Sequence, residues 1–423
     1  MNVYELNKKF SQCCCGMEHK CPVETVNIGK GAIDDMPKLC KEYQNILLVS
    51  DENTFRVCGQ KVYQSLKDKI YKNLIIKAQS DVVIPDEEKI LEAEECIKEE
   101  TDLIISVGSG VINDICKYVS YKNGLPYFIV ATAPSMDGYA SVGAALILDG
   151  MKVTINSAPP KGIIADTTVL KDAPIKMLQA GYGDILGKYS CLNDWKLSSF
   201  INGEYFCQQV YDYTLDCAEK VKPLAEKIIN RDEESIGTLM EALVVVGFLM
   251  SYVDSSRPAS GSEHHLSHFF EITGILENKK YFPHGIDVIY SAAVTAKIRE
   301  KMIDSKLCKN EFDEKGWEKE IKRIYSSCAD GVINLQKKYN RYKKDDSLIV
   351  LKNESEIKRI LKEAPSSKEF IELAGSIGLC FDEFLNLYGK EKINDAVLYA
   401  KDLKDRYTVL WLYYMYSDHK NLY

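Results

Sequence analysis

The chain has only six histidines, and four of them fall between positions 264 and 284. His264 and His268 are four apart in Gly261-Ser-Glu-His-His-Leu-Ser-His268, so on a helix they share one face, while His265 points about 100° away. His284 follows twenty residues after His264, in Pro283-His284-Gly285, where a new helix is expected to start. Two imidazoles brought together from adjacent helices suit a divalent metal, and a carboxylate would complete a triad with open positions for substrate. Asp184 is the candidate carboxylate. In Ala180-Gly-Tyr-Gly-Asp-Ile-Leu-Gly-Lys188 it is expected to open a helix directly after a glycine-rich turn, which would fix its position. Each of these residues also has a plainer role, the histidines as surface or core side chains and Asp184 as a helix cap. Spacing leaves open which histidines would ligate, since an HxxxH pair serves equally as one ligand and one substrate contact.

A second group of residue types suits a phosphate. Ser106-Val-Gly-Ser-Gly-Val-Ile-Asn-Asp114 lies between an apolar strand-like run and a helical stretch. Glycines there let the backbone approach a pyrophosphate, and the following helix N-terminus offers N–H groups and the positive end of a dipole. This is not the GxGxxG fingerprint, and an ordinary turn accounts for Gly-Ser-Gly as well. Asp51, ending an earlier strand, suits either an adenosine ribose or a helix N-cap. On a ribose it would favour NADH, because a 2′-phosphate would be repelled.

These residues need elements to carry them. Strands are expected over Val23 to Ile28, Asn45 to Ser50, Leu74 to Ala78, Asp102 to Val107 and Tyr127 to Ala131, alternating with helices. That alternation implies parallel pairing, with ligands at the carboxyl ends of the strands. Beyond about Ala180 the stretches Gln208 to Ile229, Ser235 to Tyr252 and Asp287 to Met302 have helical spacing, and the Lys- and Glu-rich block from Glu300 to Lys362 reads as a solvated helical face. The expected organisation is an α/β nucleotide-binding domain over 1–175 and an all-α metal- and substrate-binding domain over 176–423, with a cleft between them.

Composition agrees and narrows the partners. A length of 423 residues exceeds what one hydrophobic core usually organises. Against 62 acidic residues there are 54 basic ones and no basic stripe, which argues against a nucleic-acid partner. No secretory leader is visible, and the apolar run from Leu239 to Val253 carries Glu241 and is too short to span a bilayer. The 14 cysteines are mostly scattered singly, which suits reduced thiols in a cytoplasmic protein. Cys13, Cys14, Cys15, His19 and Cys21 cluster at the N-terminus. They would suit a structural zinc, but read more simply as reduced thiols on a mobile tail.

Gly108-Ser-Gly-Val-Ile-Asn-Asp114, Ala131-Thr-Ala-Pro-Ser-Met-Asp-Gly-Tyr-Ala-Ser141, Gly181-Tyr-Gly-Asp-Ile-Leu-Gly-Lys188 and Ser256-Arg-Pro-Ala-Ser-Gly-Ser-Glu-His264 occur in that order. Together they resemble the glycerol-1-phosphate dehydrogenases, in the branch of bacterial AraM-like proteins. These belong to the superfamily of iron-containing alcohol dehydrogenases and dehydroquinate synthase. The likeness covers roughly residues 23 to 300. It implies a Rossmann-like α/β domain followed by an all-helical one, and a homodimer. It implies that Asp184, His264 and His284 bind one divalent metal, with zinc, nickel and iron all suited. It further implies that Gly108, Ser109, Gly110, Val111, Ile112, Asn113, Asp114, Thr132, Ala133, Pro134, Ser135 and Ser141 hold NAD(P)H, with Asp51 on its ribose. Asp137 and His268 would contact the substrate, as would Asp184.

The implied chemistry is hydride transfer from NAD(P)H to the C2 carbonyl of dihydroxyacetone phosphate, polarised by the metal, with His268 or Asp137 relaying the proton. Arg257, Lys152 and Lys188 are candidates for the substrate phosphate by their proximity to these motifs. The rival readings are a glycerol or other alcohol dehydrogenase, a dehydroquinate synthase-type lyase, and a non-catalytic metal- or nucleotide-binding regulator.

Overall fold

The structure is a computed structural model and describes residues 2–78, 83–148, 151–418 and 422; the side chains of Met151 and Lys152 lie outside the described part. The chain forms two compact units, Met1–Tyr182 with Glu219–Ser256, and Gly183–Ala218 with Arg257–Tyr423.

The first unit is built on a parallel sheet of β1 (Thr25–Gly29), β2 (Ile46–Asp51), β3 (Ile70–Ile76), β4 (Leu103–Gly108), β5 (Tyr127–Ala131) and β8 (Gly162–Asp166), in the order β1-β8-β5-β4-β2-β3. Ile46 to Val49 and Leu103 to Val107 are continuously buried, the second apolar but for Ser106, because these central strands are covered on both faces. The chain steps outward from β2 to β3, then crosses back to β4 and continues the other way to β5. The strand order therefore reverses between β2 and β4, the place where open α/β sheets bind dinucleotides. Asp51 and Gly108 end those two strands.

Tyr127–Ala131 forms as the sequence predicts, and the other expected strands are shifted. The largest shift is in β3, which starts at Ile70 instead of Leu74. Tyr71, Lys72 and Asn73 hide its start, because β3 is an edge strand whose burial nearly alternates. An antiparallel hairpin of β6 (Gly143–Leu148) and β7 (Met151–Asn156) follows the β5 loop. The apolar run read as too short for a membrane lies in a 20-residue helix, Glu233–Tyr252, which has the length and hydropathy to cross one. It is a core helix nonetheless, since 72% of its most apolar window is buried inside the protein. The N-terminal segment is no loose tail either. Helix Val3–Phe10 packs through Phe10, 1% exposed, on the rings of His19 and Tyr252.

The described residues of the second unit contain helices and no strand. It holds a buried ion pair, Arg299 Nη2 to Asp194 Oδ1 at 3.1 Å. Arg299 also donates to Asn193 Oδ1 and to the Ser190 carbonyl, tying the His284–Asp304 helix to the Lys188–Asn202 helix. Asp194 Oδ2 accepts from the backbone N–H of Ser262 at 2.7 Å, which seats the first turn of the Ser262–Glu277 helix against the same pair. A buried pair is favourable only when further hydrogen bonds satisfy both groups, and here one of those bonds fixes the start of the helix that bears His264 and His268.

Candidate active site

His264 and His268 lie on the helix Ser262–Glu277, and His284 is the first residue of the helix His284–Asp304, as the spacing predicts. Asp184 does not open a helix. Its glycines lie inside the helix Ile175–Leu186, with Asp184 near the C-terminal end. Their function there is close approach rather than a turn. A Cβ on Gly183 would stand 2.2 Å from the Gly285 carbonyl oxygen, so only glycine lets this helix reach the start of the His284 helix. The result is a cluster in which one ligand atom from each of Asp184, His264 and His284 lies within 4.8 Å of the others. His284 has its ring centroid 5.0 Å from that of His264 and 5.4 Å from that of His268.

A carboxylate and two imidazoles held this closely form a donor set that first-row divalent ions accept. A second set, His268, Glu271 and His284, has ligand atoms within 4.8 Å of one another but is only half-buried. Asp184 has no solvent exposure and the other set has no comparable buried anion, so the electrostatic pull on a cation is stronger at Asp184.

Two neighbours prepare this site, and neither role is readable from spacing. Lys188 Nζ, fully buried, donates to Asp184 Oδ1 at 2.7 Å and to the Ala259 carbonyl at 3.1 Å. Burial opposes ionisation of Asp184, but Lys188, and then His264 and His284, outweigh it and hold the carboxyl well below the usual carboxylate range. Glu263 Oε1 accepts from His264 Nδ1 at 2.7 Å and from the Gly261 N–H at 2.8 Å. The carboxylate fixes the proton on Nδ1, which leaves Nε2 as the nitrogen facing Asp184 Oδ1, 3.6 Å away. Burial lowers the affinity of His264 for a second proton, yet Asp184 and Glu263 outweigh it and raise its pKa. His265, adjacent in sequence, is fully buried. Burial, then Arg406, Lys404 and Arg257, push its pKa well below the usual value, so it is a neutral core residue.

The candidate phosphate cations have other work. Lys188 is committed to Asp184. Arg257, 3% exposed, donates to both carboxylate oxygens of Glu204, to Ser198 Oγ and to the Tyr407 carbonyl.

The expected dinucleotide residues lie on the first unit. Gly108 closes β4, and Ser109 precedes the helix Gly110–Asn123 without making a side-chain cap. The amides of Gly110, Val111 and Ile112 therefore begin a 14-residue helix at the carboxyl end of the sheet, a geometry that favours an anion. Thr132, Ala133, Pro134 and Ser135 follow β5, with the Thr132 N–H bonded to the Gly108 carbonyl at 3.0 Å.

Asn113, Asp114 and Ser141 are buried. Asp114 Oδ2 accepts from the Ala145 N–H, and Asn113 donates to Asp114 Oδ1. Lys117, which sequence reasoning missed, is fully buried and donates to the carbonyls of Gly138 and Gly143 and to Ser141 Oγ. It pins the loop after Asp137, which itself precedes the short turn Gly138–Ala140. Asp51 does cap a helix, its Oδ1 accepting from the N–H groups of Asn53 and Thr54, both at 2.8 Å. The cap uses one oxygen and leaves Oδ2 out of it.

A sequence model of the family described as iron-containing alcohol dehydrogenase matches residues 27–174. The chain is 32% identical over 332 residues to glycerol-1-phosphate dehydrogenase (NAD(P)+) of Bacillus licheniformis, covering 77% of this chain and 82% of that one. It is 35% identical over 311 residues to the protein of the same name from Halalkalibacterium halodurans, covering 72% and 76%. In fold it is similar to the iron-containing alcohol dehydrogenase of Thermococcus thioreducens, with a TM-score of 0.61 and 14% identity over 93% of this chain and 98% of that one. The ordered motifs, the parallel sheet with its switch point and the carboxylate–imidazole cluster agree with these likenesses: the chain belongs to the glycerol-1-phosphate dehydrogenase family, within the iron-containing alcohol dehydrogenases.

Proposed function

We propose that this chain is a metal-dependent NAD(P)H oxidoreductase that interconverts dihydroxyacetone phosphate and sn-glycerol 1-phosphate. The observation that carries the reading is the set of buried Asp184 and His264 with half-buried His284, and His268 beside it, in a chain about a third identical to proteins named for that activity. Asp184, His264 and His284 would hold one divalent ion, with zinc, nickel and iron all suited to the donors. When bound, the ion supplies Lewis-acid polarisation of the C2 carbonyl and the reduced nicotinamide supplies the hydride.

The chain's own residues bind, orient and move a proton. Lys188 keeps Asp184 ionised and in place, and Glu263 holds His264 in the tautomer that leaves Nε2 available. The helix start at Gly110, Val111 and Ile112 takes the pyrophosphate, and Gly108, Ser109, Asn113 and Asp114 shape its approach. Thr132, Ala133, Pro134, Ser135 and Ser141 form the adjoining wall, and Asp51 meets the ribose through the oxygen that its cap does not use. His268 and Asp137 contact the substrate, as does Asp184. His268 gives its ring proton to the C2 oxygen as C2 receives the hydride. One hydride and one proton convert the ketone to a secondary alcohol, and the phosphate ester is unchanged.

A panel of dihydroxyacetone phosphate, glycerol and butanal, followed by NADH and NADPH absorbance with Zn²⁺, Ni²⁺ or Fe²⁺ added, tests this reading. Turnover with the phosphate ester alone is expected. Turnover with glycerol or butanal and none with the ester would reassign the chain to the alcohol dehydrogenases, and no turnover with any would favour a non-catalytic role.

A further inference from the structure

The first unit carries a second group of metal-ligating side chains, far in sequence from Asp184, His264 and His284. Cys13, Cys15 and His19 follow the helix Val3–Phe10. Gly16 between them takes φ +88°, a left-handed conformation that turns the segment back on itself. As a result one ligand atom from each of Cys13, Cys15 and His19 lies within 4.8 Å of the others, with Cys15 Sγ 3.2 Å from His19 Nε2.

The state of His19 is what separates this cluster from a chance grouping of thiols. Its ring is 5% exposed and its Nδ1 lies 2.9 Å from the Tyr252 carbonyl oxygen. A carbonyl only accepts, so Nδ1 carries the proton, and in the neutral ring Nε2 is the bare nitrogen. That nitrogen is the one facing Cys15 Sγ. A histidine whose far N–H is held by a backbone carbonyl, while its lone pair faces thiols, has the arrangement that orients metal-ligating imidazoles. Phe10 and Tyr252 pack on the ring at centroid distances of 5.6 Å and 5.8 Å and keep it in that pose. Cys14 is exposed and Cys21 is buried with its thiol pushed up to about 11 by burial; neither joins the cluster.

We propose that Cys13, Cys15 and His19 bind a zinc ion that clamps the N-terminal segment to the end of the Glu233–Tyr252 helix. Thiolate and imidazole are the ligands zinc takes in structural sites, with a water or a further thiolate as the fourth. Binding releases the thiol protons of Cys13 and Cys15 to solvent as the two Zn–S bonds form, with no change in oxidation state. This site is separate from the Asp184 set, which contains no sulfur, and does not depend on the proposed reaction.

Cobalt substitution of the whole protein tests it. Tetrahedral Co²⁺ on thiolates gives intense sulfur-to-cobalt charge transfer in the near ultraviolet, which oxygen and nitrogen ligands do not. The band is expected in the unaltered protein and in Asp184→Asn, and is expected to vanish in the Cys13→Ser/Cys15→Ser variant. Its absence from the unaltered protein, or its survival in a folded double-serine variant, would overturn the proposal. If that variant does not fold, thiol alkylation of the unaltered zinc-loaded protein decides the matter. Cys13 and Cys15 should be protected until a chelator is added, and equal labelling before and after chelation would count against the site.

Discussion

Lys188 and Asp184 form an ion pair 2.7 Å long in which the two side chains are 0% and 1% exposed. Removing the ammonium partner of a buried carboxylate is strongly destabilising, by about 3–5 kcal/mol in comparable cases. Lys188→Met should therefore lower the melting temperature of the metal-free protein steeply, and an added divalent ion at Asp184 should recover most of the loss. Thermal unfolding with and without metal measures this. An equal loss in both conditions would mean that Lys188 is only a packing residue.

Glu263 acts on the site through His264. Glu263→Gln keeps the shape but removes the charge that fixes the Nδ1 proton, and outer-shell changes of this kind typically weaken metal binding about 10–100-fold. Competition with a chelating dye gives the affinity directly. Unchanged affinity would show that the 2.7 Å contact is incidental.

His264 and His268, four apart on one helix, should separate cleanly. His264→Ala should lose metal and activity together. His268→Ala should keep its metal and lose about 10²–10⁴-fold in kcat, the range of a single proton-transfer group. Metal analysis beside steady-state kinetics distinguishes the two. Metal-free His268→Ala protein would place that ring among the ligands.

Lys117 has no charged surface to serve, since it is fully buried, its three hydrogen-bond partners lie between Gly138 and Gly143, and its ion-pair partner is Asp114 Oδ1 at 3.8 Å. Lys117→Met removes the shortest hydrogen bond to each of two carbonyls, which then keep Ser141 as a donor, so the cost should fall at or below the low end of about 1–3 kcal/mol for each buried group. It should raise the KM for NAD(P)H more than it alters metal content. A variant with wild-type cofactor KM would remove this loop from the dinucleotide site.

The grouping of Asp184, His264 and His284 is legible because its residue types are scarce: four of six histidines in one short stretch, with a carboxylate in a motif of unusual composition. The surroundings were less so. The glycines beside Asp184 read as a turn, since sequence does not distinguish a glycine that bends a chain from Gly183, which lets two helices touch. Lys188 and Arg257 read as phosphate ligands because burial and partners are tertiary facts. Glu263 leaves no periodic signal, because adjacent helical residues do not ordinarily face each other; this pair meets at the helix start, where Glu263 Oε1 accepts from both the Gly261 N–H and His264 Nδ1. The parallel strands are placed well where they are apolar throughout, as in β5, and displaced furthest where an edge carries polar residues, as in β3.

The most direct test of the central claim is the rate of NADH oxidation by dihydroxyacetone phosphate, followed as chelator-treated protein is titrated with Zn²⁺ or Ni²⁺. The rate should start near zero, rise in proportion to ion bound, and stay near zero throughout in Asp184→Asn. Full turnover before any ion is added, or an unaltered titration in Asp184→Asn, would contradict the account.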